Sequence, residues 1–218
     1  MTTLHGFHRS SASFRVRIAL NLKGIAYDSV AYDIARLEHR EPGYLALNPQ
    51  GLLPTLEIDG LRLTQSFAIV DYLDAIRPEP PLYPVDAPGR ARVASLAASI
   101  GADIHPLGAA RVVRYLRETV GVDADQAAAW QRHWIDEGFT ALEARLRDGA
   151  TGRFSHGDTP GVADLFLVPQ TFTARRVGVE VERFPTIASI VAACLELPAF
   201  QHALPDKQPD ANQERRST

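Results

Sequence analysis

The chain has 218 residues, 45% hydrophobic and 22% charged, which suits one large or two small folded domains and excludes a wholly disordered chain. A net charge of −3 offers no global attraction to nucleic acid or an anionic membrane, so neither is expected as a partner. One cysteine, Cys194, excludes an intrachain disulfide framework and a cysteine-based zinc cluster, and no apolar run approaches about 18 residues, so a soluble, cytoplasmic protein is expected.

Residues 3–7 read as a short strand and 11–23 as a helix stopped by Gly24. Alternation over 27–32 predicts a second strand, and 36–47 is irregular or weakly helical. Residues 55–58 and 61–63 flank Asp59-Gly60, a two-residue hairpin signal because both central positions need positive φ. An amphipathic helix spans 66–76 with Phe67, Ile69, Val70, Tyr72, Leu73 and Ile76 apolar. Residues 77–89, RPEPPLYPVDAPG, hold five of the fifteen prolines and mark a boundary. Beyond it every strong pattern is helical: 90–101 running on into 106–120, a long helix over 125–147, then 162–176, 186–196 and a last turn near Phe200. A glycine-rich polar loop covers 148–160, and the tail QPDANQERRST is expected to fray. The reading is a small α/β domain over 1–78, a proline-rich linker over 79–88 and an all-helical domain over 89–218.

Two segments could carry chemistry. In HRSSASFR, Ser10 and Ser11 stand where a helix N-cap belongs. The same helix start offers unpaired N–H groups and a positive dipole end, which stabilise an anion such as a thiolate. No cysteine lies there, so a bound small thiol would have to supply the sulfur. In NPQGLLPTLEIDGLRLTQSFAI, Pro54 opens a strand, and Gln65-Ser66 caps the next helix or holds a ligand carboxylate. Cys194, in IVAACLEL, reads as core, and Trp130 and Trp134 as helix packing. His5, His8, His133, His156 and His202 show no ligand spacing with acidic partners, so no metal site is predicted.

Ser-Ser-x-Ser-aromatic-Arg-Val-Arg-Ile-Ala-Leu, Leu-Asn-Pro-Gln, Leu-Pro-x-Leu and Gln-Ser-x-Ala-Ile, followed by DIHPL, GDTPGVADLFLVPQ and ARR, together resemble the zeta-class glutathione transferases. Within that class the chain is similar to the bacterial glutathione-dependent maleylacetoacetate and maleylpyruvate isomerases, in register over roughly residues 3–205. The resemblance implies a thioredoxin-like N-terminal domain, a cis Leu53–Pro54 bond, an all-helical C-terminal domain and a homodimer. It places Ser10, Ser11 and the helix start at the glutathione thiol, with Ser10 as thiolate partner. His39 and Gln50 fall near the glycyl end, the Leu53 backbone at the cysteinyl unit, and Gln65 and Ser66 at the γ-glutamyl group. Asp103 and His105 are implied at the domain and subunit junction, near the ligand. Four positions depart from the family pattern: Ala12 replaces a frequent cysteine, Gly108 and Ala109 replace two asparagines, and Gly161 replaces a capping Ser/Thr before Asp164. Ala12 argues against a mixed disulfide between protein and glutathione. Gly161 is the weaker cap, and Asp164 is expected still to reach back to the first turn.

The implied activity is cis–trans isomerisation of a maleyl-substituted oxo acid, in which a thiolate adds to the conjugated carbon, the resulting single bond rotates and the thiolate leaves. The substrate is a dianion and the adduct an enolate, so both need fixed positive donors. Of the 23 basic residues 21 are arginines, whose planar fork matches a carboxylate. Arg9, Arg111 and Arg176 are the candidates, with Arg175 competing with Arg176. Arg15 and Arg17 are expected in inter-subunit or surface pairs. Two other functions stay open: a zeta-class transferase acting on small α-haloacids, and a non-catalytic glutathione- or anion-binding protein.

Overall fold

The computed structural model describes residues 1–211. They fall into two compact units, one of Met1–Pro81 with the segment from Glu196 onward, the other of Leu82–Leu195.

The first unit opens with β1 (Thr3–Gly6), α1 (Ser11–Leu22) and β2 (Asp28–Ala31), with β1 and β2 parallel across the α1 crossover. Helix α1 is buried nearly all round, with Phe14, Val16, Ile18, Ala19 and Leu20 at 1% exposure or less. Its end is a Schellman turn: Gly24, at φ 62°, donates to the Asn21 carbonyl and Ile25 to Leu20. A 3₁₀ turn at Glu38–Arg40 and the single helical turn α2 (Pro42–Leu45) follow. Strands β3 (Thr55–Ile58) and β4 (Leu61–Thr64) form the expected hairpin, with Asp59 at φ 53° and Gly60 at φ 77°. Helix α3 (Ser66–Ile76) then packs on α1, and its Ile69, Val70 and Leu73 are fully buried. The sheet order is β2-β1-β3-β4, with β3 antiparallel to both of its neighbours. Lys23 is buried and donates to Asp74 and to the Pro80 carbonyl, joining α1, α3 and the proline segment.

The second unit holds α4 (Ala87–Ala98), α5 (Ala110–Tyr115), α6 (Ala124–Arg145), α7 (Val162–Arg176) and α8 (Pro185–Leu195). Residues 90–120 are not one continuous helical run: a π-helical stretch at Ser99–Ile104 and a 3₁₀ turn at His105–Gly108 separate α4 from α5. A second π-helical stretch, Leu116–Val120, ends at Gly121. Pro106 removes one helical N–H, and the π stretch shifts the register ahead of it. Helix α7 is buried from Val162 to Thr171 and packs on α4 and α8, which makes it the centre of this unit. Asp164 accepts from the Gly161 and Ser155 amides at 2.8 and 2.9 Å, so it does reach back over the uncapped start of α7. Arg92 binds Asp148 bidentately at 2.7 and 2.8 Å and donates to the Ser155 carbonyl, which orders the 148–160 loop. Cys194 is fully buried, as expected of a core residue.

The chain closes with α9 (Pro198–His202) and a 3₁₀ turn at Pro205–Lys207. The sequence assigned this stretch to the helical domain, but α9 packs on α1 and belongs to the first unit. The expected fraying is also corrected for residues 208–211. Gln208 and Ala211 are buried, and Asp210 accepts a hydrogen bond from the His8 amide at 2.8 Å. Residues 212–218 of the tail lie outside the described residues.

Candidate glutathione-type site

Register decides which loops of the first unit meet. His5 of β1 pairs with Thr55 of β3, and Thr55 with Thr64 of β4. The exit of β1 towards Ser10, the entry to β3 through Leu53-Pro54 and the exit of β4 into Gln65-Ser66 therefore share one end of the sheet. Three segments far apart in sequence become neighbours through these antiparallel pairings.

Ser10 is the N-cap of α1, with extended backbone (φ −71°, ψ 116°), and its Oγ accepts from the Ser13 amide at 3.2 Å. The oxygen is engaged by that N–H, so the hydroxyl proton can be donated to an anion in front of the helix. Gly6 gives Ser13 its room, because a β carbon there would stand 2.9 Å from Ser13 Oγ. Ser11, the first helical residue, is buried, while Arg9 is exposed.

The Leu53–Pro54 bond is cis, and a second cis bond joins Glu79 and Pro80. The preceding Leu52 carbonyl accepts from Tyr44 Oη at 2.6 Å and Asn48 Nδ2 at 2.8 Å, which anchors the approach to Leu53. Gln50 accepts from Gln65 Nε2 at 2.9 Å, so the structure brings these two predicted residues together. His39 is buried, and its carbonyl packs so closely on Gly51 that a β carbon there would lie 3.0 Å away; with φ at 57°, glycine is the residue that fits. His39 thus backs the Gln50 loop.

Gln65 precedes α3 at φ 68°, in the left-handed region that a non-glycine residue seldom adopts. Its side chain makes no cap to α3, contrary to the capping reading, because it is turned to Gln50. Ser66 is buried, and its Oγ accepts from Arg15 Nη1 at 3.3 Å. Arg15 is 2% exposed, and burial pushes its guanidinium down to about 9, leaving it charged at neutral pH. The expectation of surface or inter-subunit pairs fails for both helical arginines. Arg17, at 3% exposure, donates to the carbonyls of Phe7, His8 and Ala203. Both lie inside a helix whose every residue from Ser13 to Leu20 is buried, which leaves no solvated face.

The remaining candidates lie in the second unit. Asp103 is exposed on the π-helical stretch, and His105 opens the 3₁₀ turn. That turn is held from α6, where Trp130 Nε1 donates to the Leu107 carbonyl at 2.8 Å and Gln131 Nε2 to Gly108 at 2.9 Å. Arg111 is exposed near the start of α5. At the end of α7, Arg175 Nη2 lies 2.9 Å from Glu182 Oε1. Arg175 and Arg176 are both exposed. Among the described residues no cluster of His, Cys, Asp and Glu could hold a metal ion, and no helix is long and apolar enough to cross a membrane.

A thioredoxin-like α/β unit with a serine-capped helix start, followed by a helical unit, defines a class, and comparison with known proteins agrees. Residues 9–76 match the glutathione S-transferase N-terminal domain and residues 123–199 its C-terminal domain. The chain belongs to the glutathione S-transferase family. Within it, the chain is 47% identical to a maleylpyruvate isomerase of Ralstonia sp., over 95% of this chain and 99% of that one. It is 46% identical to a maleylacetoacetate isomerase of Rhizobium meliloti, over 94% and 97%. Among solved structures, it superposes on a holo maleylpyruvate isomerase, a bacterial zeta-class glutathione S-transferase, with a TM-score of 0.94, 47% identity and coverage of 95% and 99%. It also superposes on a maleylacetoacetate isomerase of Methylobacterium extorquens holding malonate and glutathione, with a TM-score of 0.93, 41% identity and coverage of 95% and 98%. The resemblance to the zeta class holds over both units.

Proposed function

We propose that the protein is a glutathione-dependent cis–trans isomerase of a maleyl-substituted oxo acid, with maleylacetoacetate and maleylpyruvate as the two leading substrates. One observation carries the reading most directly: the α1 start presents a serine hydroxyl whose oxygen is engaged by Ser13, leaving its proton for an anion. The residues fit glutathione. Buried Ser66 stands at the start of α3, and the Gln65–Gln50 pair gives amide groups for an amino-acid head group. When bound, glutathione supplies the nucleophilic thiolate that the chain lacks, since burial pushes the Cys194 thiol far up.

Ser10 donates to the sulfur and, with the amides of the first turn, favours the thiolate over the thiol. Ser66, Gln65, Gln50, His39 and the Leu53 backbone hold the peptide part, and Ser11 completes the helix start. Arg9, Arg111 and Arg176 are the candidate cations for the substrate's two carboxylates, and the family resemblance puts Asp103 and His105 near the ligand. The protein works in the cytoplasm as a homodimer, in keeping with its family.

The test follows each maleyl oxo acid with and without glutathione. Glutathione-dependent conversion of either substrate is the expected result. No conversion of either refutes the reading, and turnover of a small α-haloacid alone selects a transferase.

A further inference from the structure

The loop that delivers Ser10 is held from a distance. Between β1 and α1, residues 7–10 carry only one internal backbone bond, from the Ser10 amide to the Phe7 carbonyl at 3.0 Å. The loop's other fixed points come from elsewhere in the first unit. Arg17, buried one helical face behind it, donates to the His8 carbonyl at 3.0 Å, to the Phe7 carbonyl at 3.4 Å and to the Ala203 carbonyl at 3.0 Å. Asp210 Oδ2 accepts from the His8 amide at 2.8 Å and lies 3.1 Å from His8 Nδ1. Gln208 locks the segment that carries Asp210 by donating to the His202 and Leu204 carbonyls, both at 2.9 Å. Gly6, Phe7, His8, Arg17, Gln208 and Asp210 line one small cavity, so the arrangement is a single junction. Burial pushes Arg17 down to about 10, with Asp210 acting against that shift, and the guanidinium remains charged at neutral pH.

We propose that Asp210 and Arg17 are positioning residues. Acting through His8 and through the Phe7 and His8 carbonyls, they hold the 7–10 loop so that the Ser10 hydroxyl and the first amides of α1 are fixed in front of the helix. The segment that carries Gln208 and Asp210 thereby becomes part of the thiol-binding machinery. This rests on the proposed glutathione chemistry for its catalytic consequence, but not for the tether itself. Errors of this kind matter because a catalytic donor must be held to within about 0.5 Å to act.

The experiment uses the full chain as Asp210→Ala and Asp210→Asn, with Asp206→Ala as a control on an exposed carboxylate of the same segment. Amide hydrogen exchange read by NMR needs no ligand. Asp210→Ala is expected to speed exchange at His8, Ser10 and Ser13 by about tenfold or more, with the rest of the sheet unchanged. Asp210→Asn, which keeps one acceptor oxygen, recovers part of the protection, and Asp206→Ala matches wild type. With glutathione added, ultraviolet absorption of the thiolate is expected to show a bound-thiol pKa raised by about half a unit to one unit in Asp210→Ala, or ~3–10-fold less thiolate near neutral pH. Unchanged exchange at Ser10 and Ser13, or an unchanged thiol pKa, overturns the proposal. Uniform loss of protection throughout the unit also overturns it, by showing a purely structural role. A wild-type chain that binds no glutathione refutes the proposed function instead, and the exchange result still decides whether the tether exists.

Discussion

Replacing Ser10 by alanine separates its two duties. Its Oγ accepts from the Ser13 amide at 3.2 Å, so the variant loses an N-cap, which costs about 1 kcal/mol in typical hosts. In a chain of this size that lowers Tm by about 2–4 °C. The second loss is the O–H donated to the sulfur, and a hydrogen bond to a charged group contributes about 1.5–3 kcal/mol. At 1.36 kcal/mol per unit, the pKa of the bound thiol should rise by about one to two units, towards the ~8.5 of a free thiol. Near neutral pH the thiolate population and kcat/KM fall together by roughly 10- to 100-fold. Scanning calorimetry reads the first effect, and thiolate absorption against pH with steady-state turnover reads the second. Ser10→Thr, which keeps both the acceptor and the donor, should restore most of each. A variant that loses the expected Tm but leaves the thiol pKa unchanged would show that Ser10 is a cap and nothing more.

Three further predictions concern the rest of the molecule. Arg176→Ala should raise KM for the dianionic substrate by about tenfold or more while leaving glutathione affinity unchanged, whereas Arg175→Ala, which breaks only the exposed Glu182 pair, should leave both near wild type; equal effects would reverse the assignment. Cys194 is fully buried with its thiol pushed up by burial, so the native chain should resist a thiol reagent at pH 7 and react only on unfolding; rapid native labelling contradicts the buried site. Glu143 is disfavoured by burial, but hydrogen bonds from Thr186 and Ile187 at the start of α8 and from Arg147 outweigh it and hold the carboxyl below its usual range. A depressed carboxyl contributes stability that is full above its unfolded pKa and lost as pH falls through the folded value. Glu143→Gln should therefore flatten the acid limb of the stability profile, and an unaltered limb would disprove the linkage.

Much of the local structure was legible in the residues. Asp59-Gly60 specified its hairpin because only a few residue types take positive φ at both positions, and Gly24 stopped α1 for the same reason. Ser10 was readable as a cap because capping depends on the next three residues alone. The site residues beyond Ser10, Ser11, Gln65 and Ser66 came from family resemblance, since single residues such as His39 or Gln50 carry no local signal of a ligand.

Other features depended on distance along the chain. Arg15 and Arg17 look like surface groups in any short window, because a guanidinium is ordinarily solvated. Their burial follows from acceptors supplied by Ser66, 51 residues away, and Ala203, 186 away. The tail after Pro205 looks polar enough to fray, and nothing nearby in sequence reveals that His8, 202 residues earlier, holds Asp210. Gln65 resembles a cap until the strand register brings Gln50 to its side chain. By itself the sequence determined the backbone punctuation, the apolar faces and the serine at the helix start, all of which follow from residues within one or two turns of each other. Only the tertiary structure decided which charged groups are buried, which arginine is engaged by Glu182 and which end of the chain braces the Ser10 loop. Those outcomes depend on hydrogen-bond partners that meet only once the sheet register and helix packing have formed.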